Sequence, residues 1–464
     1  MALPGTLGEL RGSEYRMRSV REELRDNLVE RLRRGRECFP GLVGYQETVI
    51  PQVENALLAG QDIIFLGERG QAKSRLIRAL AQLLDDRLPV LRGSEVHDHP
   101  YAPISRFGRD LVQERGDQAP IEWVGREQRF GEKLATPDTS IADLIGEVDP
   151  IRVAEGRYLA DELTIHYGLL PRVNRGIFAV NELPDLAERI QVGLLNIMEE
   201  RDVQIRGFKV RLPLDIVVVA TANPDDYTNR GRIITPLKDR FGAQVRTHYP
   251  QSPELEVEII QQEREQFSGL GVPLHLPNHM VELVAEMSQL ARRTAQVNQR
   301  SGVSVRLSIA NVESLCANAL RRAITLDEAE AVPRLSDLGA LAASTLGKLE
   351  LETWEEGEDH ALLQKLIRGA TVNVFRRHFA VGEFGPLLAR FEQGLTIEVG
   401  EMIPLERYRQ AADGIPELSR ILSDLEEPLQ PGAVAAALEL VLEGLHLSKR
   451  LNKTVVDDTA VYGG

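Results

Sequence analysis

The sequence has 464 residues, 43% hydrophobic and 27% charged, which is typical of a globular chain long enough for two or three domains. The formal net charge of −15 argues against non-specific binding to DNA or an anionic membrane, so nucleic acid is not an expected partner. The two cysteines, Cys38 and Cys316, are too few for a disulfide framework, and no apolar run has the length of a membrane span. Because the first residues also lack the apolar core of a signal peptide, we expect a cytoplasmic protein.

The predicted elements divide the chain into four segments. Residues 1–40, rich in Arg and Glu with Leu and Val at helical spacing, predict an exposed N-terminal helical arm. Residues 41–250 carry the apolar runs "DIIFL", "GIFAV" and "DIVVVATA", separated by helical patterns, and predict an α/β domain with a parallel sheet buried on both faces. Residues 251–352 predict a helical domain, and residues 353–464, acidic and without a motif, predict a helical C-terminal extension.

The stretch "GERGQAKS" lies between the first apolar run and an amphipathic helical pattern. Glycines let such a turn bring backbone N–H groups close to phosphate oxygens, and the helix N-terminus adds partial positive charge. Lys73 can reach the outer phosphates of a nucleotide, and the Ser74 hydroxyl can ligate Mg²⁺. Ala72 stands where the usual pattern has a second glycine, and its methyl group can be accommodated there if φ is negative. The alternative is an ordinary glycine turn; the predicted cradle is Gly67, Glu68, Arg69, Gly70, Gln71, Ala72, Lys73 and Ser74.

The run "GIFAVNELPDL" delivers two polar residues, Asn181 and Glu182, at the end of a predicted strand. Ligands bind at that edge in open α/β sheets. Glu182 suits a base that orients and deprotonates a water beside the terminal phosphate. Asn181 occupies a position that is normally an aspartate holding the metal, and it offers only an uncharged amide oxygen. Taken alone, the segment is more simply a strand that ends in a polar turn, but the preceding loop favours the catalytic interpretation.

Two later motifs and one helix supply further candidates. The run "VVVATANPDD" ends another strand at Asn223, whose amide is suited to positioning the attacking water. The segment "TPLKDRF" places Arg240 beside Asp239, and Arg306 lies near the start of the helical pattern 304–323. For Arg240, the spacing alone is explained equally well by a surface arginine paired with Asp239. For Arg306, it is explained equally well by an ordinary surface residue.

In this order the motifs resemble AAA+ ATPases, and within them the magnesium-chelatase ATPase-subunit and MoxR clade. The segment "GLVGYQETV" resembles the stretch that precedes the phosphate loop, and "AKS" resembles the MoxR loop, in which alanine before the lysine is usual. "LIGEVDP…GLLPRVNRGIFAVNE" and "NRGRIITPLKDRFG" resemble the chelatase acidic strand and arginine-finger segment. The resemblance covers roughly residues 40–350, and the ordered set of motifs makes it specific.

The resemblance implies a P-loop AAA+ domain followed by a helical lid, assembled into a ring that is usually a hexamer, with ATP bound between subunits. It also implies a protein client, one carrying a von Willebrand factor A domain. The implied roles are phosphate and Mg²⁺ binding by Lys73 and Ser74 with Asn181 at the metal, base catalysis by Glu182, sensor 1 at Asn223, the arginine finger at Arg240 and sensor 2 at Arg306.

Residues 200–213, "ERDVQIRGFKVRLP", alternate in polarity around Gly207 and Phe208 and predict a short hairpin. A plain structural hairpin is one interpretation. In the resembled clade a hairpin at this place points toward the ring pore. That placement makes four residues candidates for partner contact: Arg206, Phe208, Lys209 and Arg211.

These observations predict an ATP hydrolase that couples ATP binding and hydrolysis to remodelling or assembly of a partner protein, in a chaperone-like role that could extend to metal insertion. Asn181 leaves open a nucleotide-gated structural switch with little turnover. A true magnesium-chelatase subunit is a narrower alternative. A transcriptional activator of the AAA+ type is disfavoured, because the C-terminus shows no helix-turn-helix pattern and the net charge is negative.

Overall fold

The computed structural model describes residues 3–148, 162–200, 202–204, 211–223, 232–269, 271–298, 302–349, 358–413, 415, 417–456 and 459–464. Between His248 and Tyr249 the chain divides into two compact units. Each unit contains a hydrophobic core of its own.

The first unit is built on a five-stranded sheet in which every neighbouring pair is parallel. Its strands, with those of three smaller two-stranded sheets, are β1 (Ile63–Leu66), β2 (Arg87–Leu91), β3 (Ile121–Gly125), β4 (Phe130–Leu134), β5 (Gly146–Val148), β6 (Ile165–Tyr167), β7 (Gly176–Asn181), β8 (Asp202–Gln204), β9 (Arg211–Pro213), β10 (Ile216–Ala222) and β11 (Ala243–Arg246). The order across the large sheet is β11-β1-β10-β7-β4.

The three apolar runs of the sequence are β1, β7 and β10, and all of their residues are buried. Alternate residues face two different clusters: Ile64 and Phe178 lie in one, and Ile63 and Ile177 in the other. Such two-sided burial explains why these runs are apolar without alternation. The predicted α/β fold with a buried parallel sheet is confirmed.

Helices cover both faces of this sheet. They are α1 (Leu7–Arg11), α2 (Val20–Arg33), α3 (Ile50–Leu58), α4 (Lys73–Leu80), α5 (Arg106–Arg115), α6 (Ile141–Leu144), α7 (Leu169–Arg172), α8 (Glu188–Glu200) and α9 (Thr235–Arg240). Helices α2, α3 and α4 share a cluster with Ile63 of β1, whereas α7 and α8 share a cluster with Ile64.

The N-terminal segment is helical as predicted, but the expectation of an exposed arm is wrong for α2. Its residues Val20, Leu24 and Leu28 are at most 1% exposed and belong to the core beneath the sheet. The physical reason is their spacing of four, which places them in one stripe that α2 buries. On the same helix Glu23 is buried and forms a bidentate ion pair with buried Arg129.

The predicted hairpin is present in its two strands, since β8 pairs antiparallel with β9. Arg211 is the first residue of β9. Three of the candidate partner-contact residues lie outside the described residues: Arg206, Phe208 and Lys209.

The second unit is mainly helical, as predicted, and adds a three-stranded antiparallel sheet in the order β12-β14-β13. Its elements are α10 (Pro253–Glu263), α11 (Asn278–Arg293), α12 (Val305–Leu326), α13 (Leu341–Thr345), α14 (Glu358–His378), α15 (Gly385–Glu392), β12 (Ile397–Val399), α16 (Leu405–Ala412), α17 (Leu418–Asp424), α18 (Pro431–Leu447), β13 (Asn452–Val456) and β14 (Thr459–Gly463).

The segments 251–352 and 353–464, which the sequence suggests as a lid and an extension, share one hydrophobic core in this unit. Val284 of α11, Val374 of α14 and Leu445 of α18 are each fully buried in the same cluster. Residues on both sides of position 352 therefore contribute to one folded body.

Within the described residues, none of the helices combines the length and the hydropathy needed to span a bilayer.

Candidate functional site

The carboxyl ends of three neighbouring strands bring the sequence motifs together. In the parallel register Leu66 of β1 lies opposite Ala222 of β10, and Ala220 of β10 lies opposite Val180 of β7. The residues that follow these strands therefore emerge at one edge of the sheet. They are Gly67 with the phosphate loop, the pair Asn181 and Glu182, and Asn223.

The loop Gly67–Ala72 runs from β1 into α4, whose first residue is Lys73. The condition of a negative φ at Ala72 is not met: φ is 52° and ψ is 20°, in the left-handed region, and Gly70 has φ of 77°. A non-glycine residue is strained there by roughly 1–2 kcal/mol. Ala72 is also the N-cap of α4 and makes no side-chain cap. The first N–H groups of the helix are therefore directed to the loop side, as in an anion-binding turn.

A side chain cannot replace the hydrogen at Gly67. A Cβ built there would lie 1.9 Å from Thr247 Oγ1 and 2.3 Å from Gln71 Oε1. Those two atoms are themselves hydrogen bonded at 2.8 Å, and Gln71 Oε1 also accepts from the Glu68 N–H. The glycine is thus required for the close approach of the loop to the end of β11.

Tyr45, in the segment that resembles the stretch before the phosphate loop, holds the loop from the other side. Its hydroxyl lies 2.8 Å from the Gln71 carbonyl oxygen and 2.9 Å from the His248 carbonyl oxygen. Burial raises the pKa of the Tyr45 phenol, which keeps it a neutral hydrogen-bond donor. The loop is consequently fixed by side-chain contacts as well as by its own backbone.

The Lys73 ammonium is folded over the loop. Its Nζ donates to the carbonyl oxygens of Gly67 and Glu68, at 2.5 and 2.7 Å, and the residue is 7% exposed. A cation held this close to the loop backbone can pair with phosphate oxygens bound in the same turn.

Ser74 and Asn181 approach each other at the predicted metal position. Ser74 Oγ lies 3.5 Å from Asn181 Oδ1, and Asn181 Nδ2 donates to Glu132 Oε1 at 2.5 Å. Hydroxyl, amide and carboxylate oxygens are the hard donors that Mg²⁺ prefers, so these residues fit that metal. Among the described residues, no group of three or more His, Cys, Asp or Glu side chains is arranged to hold an ion by itself. Such a site is typical of Mg²⁺ that is bound largely through nucleotide phosphates.

Glu182 directly follows β7 and adopts a left-handed backbone with φ of 55° and ψ of 50°. Its N–H donates to Thr221 Oγ1 at 3.0 Å, which ties this strained residue to the neighbouring strand β10. Non-glycine residues in this region cost of order 1–3 kcal/mol and concentrate at functional sites. Asn223 follows β10 and is 6% exposed. Both side chains therefore belong to the same edge as the phosphate loop.

Arg240 is placed away from the phosphate loop of its own chain. It ends α9, and the Ala243 N–H that follows bonds to the Asp62 carbonyl at the start of β1, whereas the loop follows the other end of β1. Its guanidinium pairs with Glu199 of α8, not with Asp239 as the surface interpretation had it. The role of Arg240 as a finger stays a prediction.

Arg306 lies in the first turn of α12 in the second unit, where its side chain is exposed and its N–H donates to Ser304 Oγ. Its predicted role as sensor 2 is likewise untested by the structure of either unit.

Sequence reasoning missed several residues of this edge. Glu132, Thr221 and Thr247 contact Asn181, Glu182 and Gln71, respectively. Glu132 and Thr247 stand in no motif, and Thr221, although it lies within "VVVATANPDD", has nothing in its local sequence that marks its contact with Glu182. Only the pairing of strands reveals them.

No protein-family model matches the chain. Sequence relatives are found among the curated magnesium-chelatase subunits. Subunit ChlI of Nostoc sp. is 28% identical over 235 residues, which make up 49% of this chain and 58% of that protein. Subunit ChlI of Nephroselmis olivacea is 27% identical over 326 residues, 67% of this chain and 85% of that protein. The chain thus spans little more than half of the Nostoc protein.

A structural comparison matches one chain from the complex between subunits BchI and BchD of magnesium chelatase, at 20% identity and a TM-score of 0.36, covering 70% of this chain and 98% of that one. A score this low adds nothing to the strand order described above. The sequence relatives confirm the predicted relationship to the AAA+ ATPase subunits of magnesium chelatase.

Proposed function

We propose that this relative of the magnesium-chelatase subunits binds ATP with Mg²⁺ at the carboxyl edge of its parallel sheet and hydrolyses it. One observation carries the proposal: the phosphate loop, Glu182 and Asn223 follow three adjacent parallel strands and so meet at one edge.

In this proposal the chain contributes mainly position and charge. The loop N–H groups, the start of α4 and the Lys73 ammonium hold the phosphates. The Glu182 carboxylate orients and deprotonates the attacking water, and the Asn223 amide fixes that water in line with the terminal phosphate. Ser74, beside Asn181, would hold Mg²⁺, which would supply charge neutralisation at the phosphate oxygens.

The same proposal extends to assembly. ATP lies between subunits of a homo-oligomeric ring, which we take to be a hexamer, and Arg240 completes the site of the neighbouring subunit. Hydrolysis is coupled to remodelling or assembly of a protein client, for which a von Willebrand factor A domain is the candidate. The antiparallel pairing of β8 with β9 supports a client-contact role, because in the resembled clade a hairpin at this place points toward the ring pore.

A nucleotide-gated switch with little turnover is the second candidate, and Asn181 favours it because it brings no charge to the metal. Steady-state phosphate release by the wild type and by Glu182→Gln separates the two functions. Turnover well above that of Glu182→Gln supports an ATPase. Equal rates near background, in a protein that still binds ATP, support the switch.

Lys73→Ala tests the site itself. Removing the ammonium from the loop should weaken ATP binding at least tenfold, which corresponds to about 1.4 kcal/mol. Titration with a fluorescent ATP analogue measures this change, and Lys348→Ala, which removes an exposed lysine of the second unit, is the control that should leave affinity unchanged. Unaltered affinity in Lys73→Ala would mean that "GERGQAKS" is only a turn.

A further inference from the structure

The carboxylate that the motif lacks at Asn181 is present on the neighbouring strand. β4 pairs in parallel with β7, with Glu132 opposite Ala179, two residues before Asn181. From there the Glu132 side chain reaches Asn181, whose Nδ2 lies 2.5 Å from Glu132 Oε1. This contact joins residues 49 positions apart in the sequence.

The Glu132 carboxylate determines which way the Asn181 amide faces. An ionised carboxylate only accepts hydrogen bonds, so the amide must turn its NH₂ group toward Glu132. The amide oxygen Oδ1 then faces the opposite way, 3.5 Å from Ser74 Oγ and 3.4 Å from Thr221 Oγ1. Glu132 thereby presents an oxygen, rather than an N–H, to the hydroxyl that the motif assigns to Mg²⁺.

Arg78 holds Glu132 in this position. It lies on α4, the helix that starts at the phosphate loop, and its Nε and Nη2 donate to the two oxygens of Glu132 at 2.8 and 3.2 Å. The Arg78 side chain is 66% exposed and that of Glu132 21%. An exposed ion pair of this kind contributes little by itself. Its third member, the buried Asn181, is what makes the contact relevant to the site.

We propose that Glu132 is a positioning residue for Mg²⁺: held by Arg78, it fixes from β4 the Asn181 amide with its oxygen toward Ser74. This proposal rests on the proposed nucleotide site. It explains how an asparagine can stand at the metal position without loss of the metal.

Glu132→Gln is the first test, because glutamine both donates and accepts and so neither carries the charge nor fixes the amide. The measurement is the affinity for a fluorescent, non-hydrolysable ATP analogue in Mg²⁺ and in EDTA. The gain in affinity that Mg²⁺ provides should fall about tenfold, in the range typical for residues that orient metal ligands. Affinity in EDTA should stay within about twofold of the wild type. Glu127→Gln, an exposed carboxylate on the same unit, should change neither value.

Exchanging the two groups is the second test. Asn181→Asp alone puts two carboxylates at hydrogen-bonding distance, where their repulsion disfavours the arrangement, and it removes the amide N–H from which Glu132 accepts a hydrogen bond. In this single variant, Mg²⁺ should increase the affinity for the ATP analogue less than it does in the double variant Asn181→Asp/Glu132→Gln. The double variant again has one carboxylate and one amide. The double variant should recover the wild-type gain to within about threefold. Equal thermal midpoints would show that the variants are folded.

Three results would overturn the role of Glu132. They are an unchanged Mg²⁺ gain in Glu132→Gln, an equal loss of affinity in Mg²⁺ and in EDTA, or a single Asn181→Asp variant that exceeds both the wild type and the double variant. Failure of the nucleotide site looks different, because then the wild type itself does not bind the analogue.

Discussion

Left-handed residues other than glycine occur in both units but in different places. In the first unit Ala72 stands directly before α4 and Glu182 directly before a single helical turn, both at the carboxyl edge of the sheet, while His97 lies between β2 and α5 and Arg175 directly before β7. In the second unit, among the residues described, such backbones occur only just after the last turn of a helix, at Asp327, Glu426 and Lys449. The latter positions are common helix ends that satisfy orphan carbonyls. At Ala72 the left-handed residue instead directly precedes a helix, so the first N–H groups of α4 lie beside the phosphate loop.

Polar side chains show the same difference. In the second unit Arg334 is fully buried, and its Nη2 donates to the carbonyl oxygens of Gly400, Glu401 and Ile403 while Nε lies 3.4 Å from buried Glu439. Such contacts join helices and strands that are distant in sequence. At the edge of the first unit the Ser74 to Asn181 contact is long, at 3.5 Å. Elsewhere in the first unit buried polar side chains also serve the fold, as in the Glu23–Arg129 pair. The comparison therefore concerns the carboxyl edge of the sheet, where Ser74 and Asn181 lie in a looser arrangement than the buried polar groups of the second unit.

Arg240→Ala has the largest expected effect and tests whether the first unit supplies a residue to a neighbour. An arginine finger is worth three to five orders of magnitude in turnover, so kcat should fall by about that much while ATP affinity stays within about threefold. Because the guanidinium lies beyond the start of β1, it should act on another subunit. Mixing Arg240→Ala with inactive Lys73→Ala should therefore restore some phosphate release.

Glu199→Gln is the matched control for that variant. It breaks the observed ion pair with Arg240 but keeps the guanidinium, and the pair is exposed enough to contribute little to stability. Turnover should stay within about twofold. If both variants have the same small effect, or if mixed rings show no recovery, Arg240 is a surface residue only.

The second prediction concerns a buried histidine of the second unit. Burial lowers the pKa of His279 to about 4, and the carboxylate of Glu427, 3.9 Å from Nδ1, opposes this without overcoming it. His378, Glu282 and His275 also face the ring, and their effects are smaller. Within the part of the chain that the structure describes, neither ring nitrogen of His279 has a hydrogen-bond partner. The folded unit therefore keeps this residue neutral.

The sign of the pH dependence follows from that pKa. Between about 6.5 and about 4 the unfolded chain protonates His279 and the folded chain does not, so stability falls as the pH falls. The loss is at most roughly 3 kcal/mol. Urea unfolding measures the free energy of unfolding at pH 7 and at pH 4.5. His279→Leu should reduce the difference between these two values by this amount, whereas His360→Gln, at an exposed site, should leave it unchanged. An unchanged pH dependence in His279→Leu would show that this residue is not held neutral.

The sequence predicts the parts of this molecule that local pattern determines. The strands around Phe65, Phe178 and Val218 follow from continuous apolar runs, and the loop follows from its glycines and the Lys-Ser pair. The contact of Glu132 with Asn181 does not follow from any pattern, because it depends on which strands are neighbours in the sheet. The sequence analysis did not predict the burial of α2, because the many charged residues of this helix obscure the apolar stripe that contains Leu24.

Ala72→Gly has the smallest expected effect and tests the strain at the phosphate loop directly. Glycine enters the left-handed region freely, so the substitution should relieve roughly 1–2 kcal/mol of strain, offset by about 0.5–1 kcal/mol of extra chain entropy in the unfolded state. A net stabilisation of up to about 1 kcal/mol is expected in urea unfolding, with ATP affinity within about threefold because the loop conformation is kept. Ala81→Gly, whose φ is −61°, is the matched control and should instead destabilise the chain. If both substitutions destabilise the chain equally, Ala72 does not adopt the left-handed conformation in solution. The proposed difference between the two units then lacks its main example, the left-handed residue directly before α4.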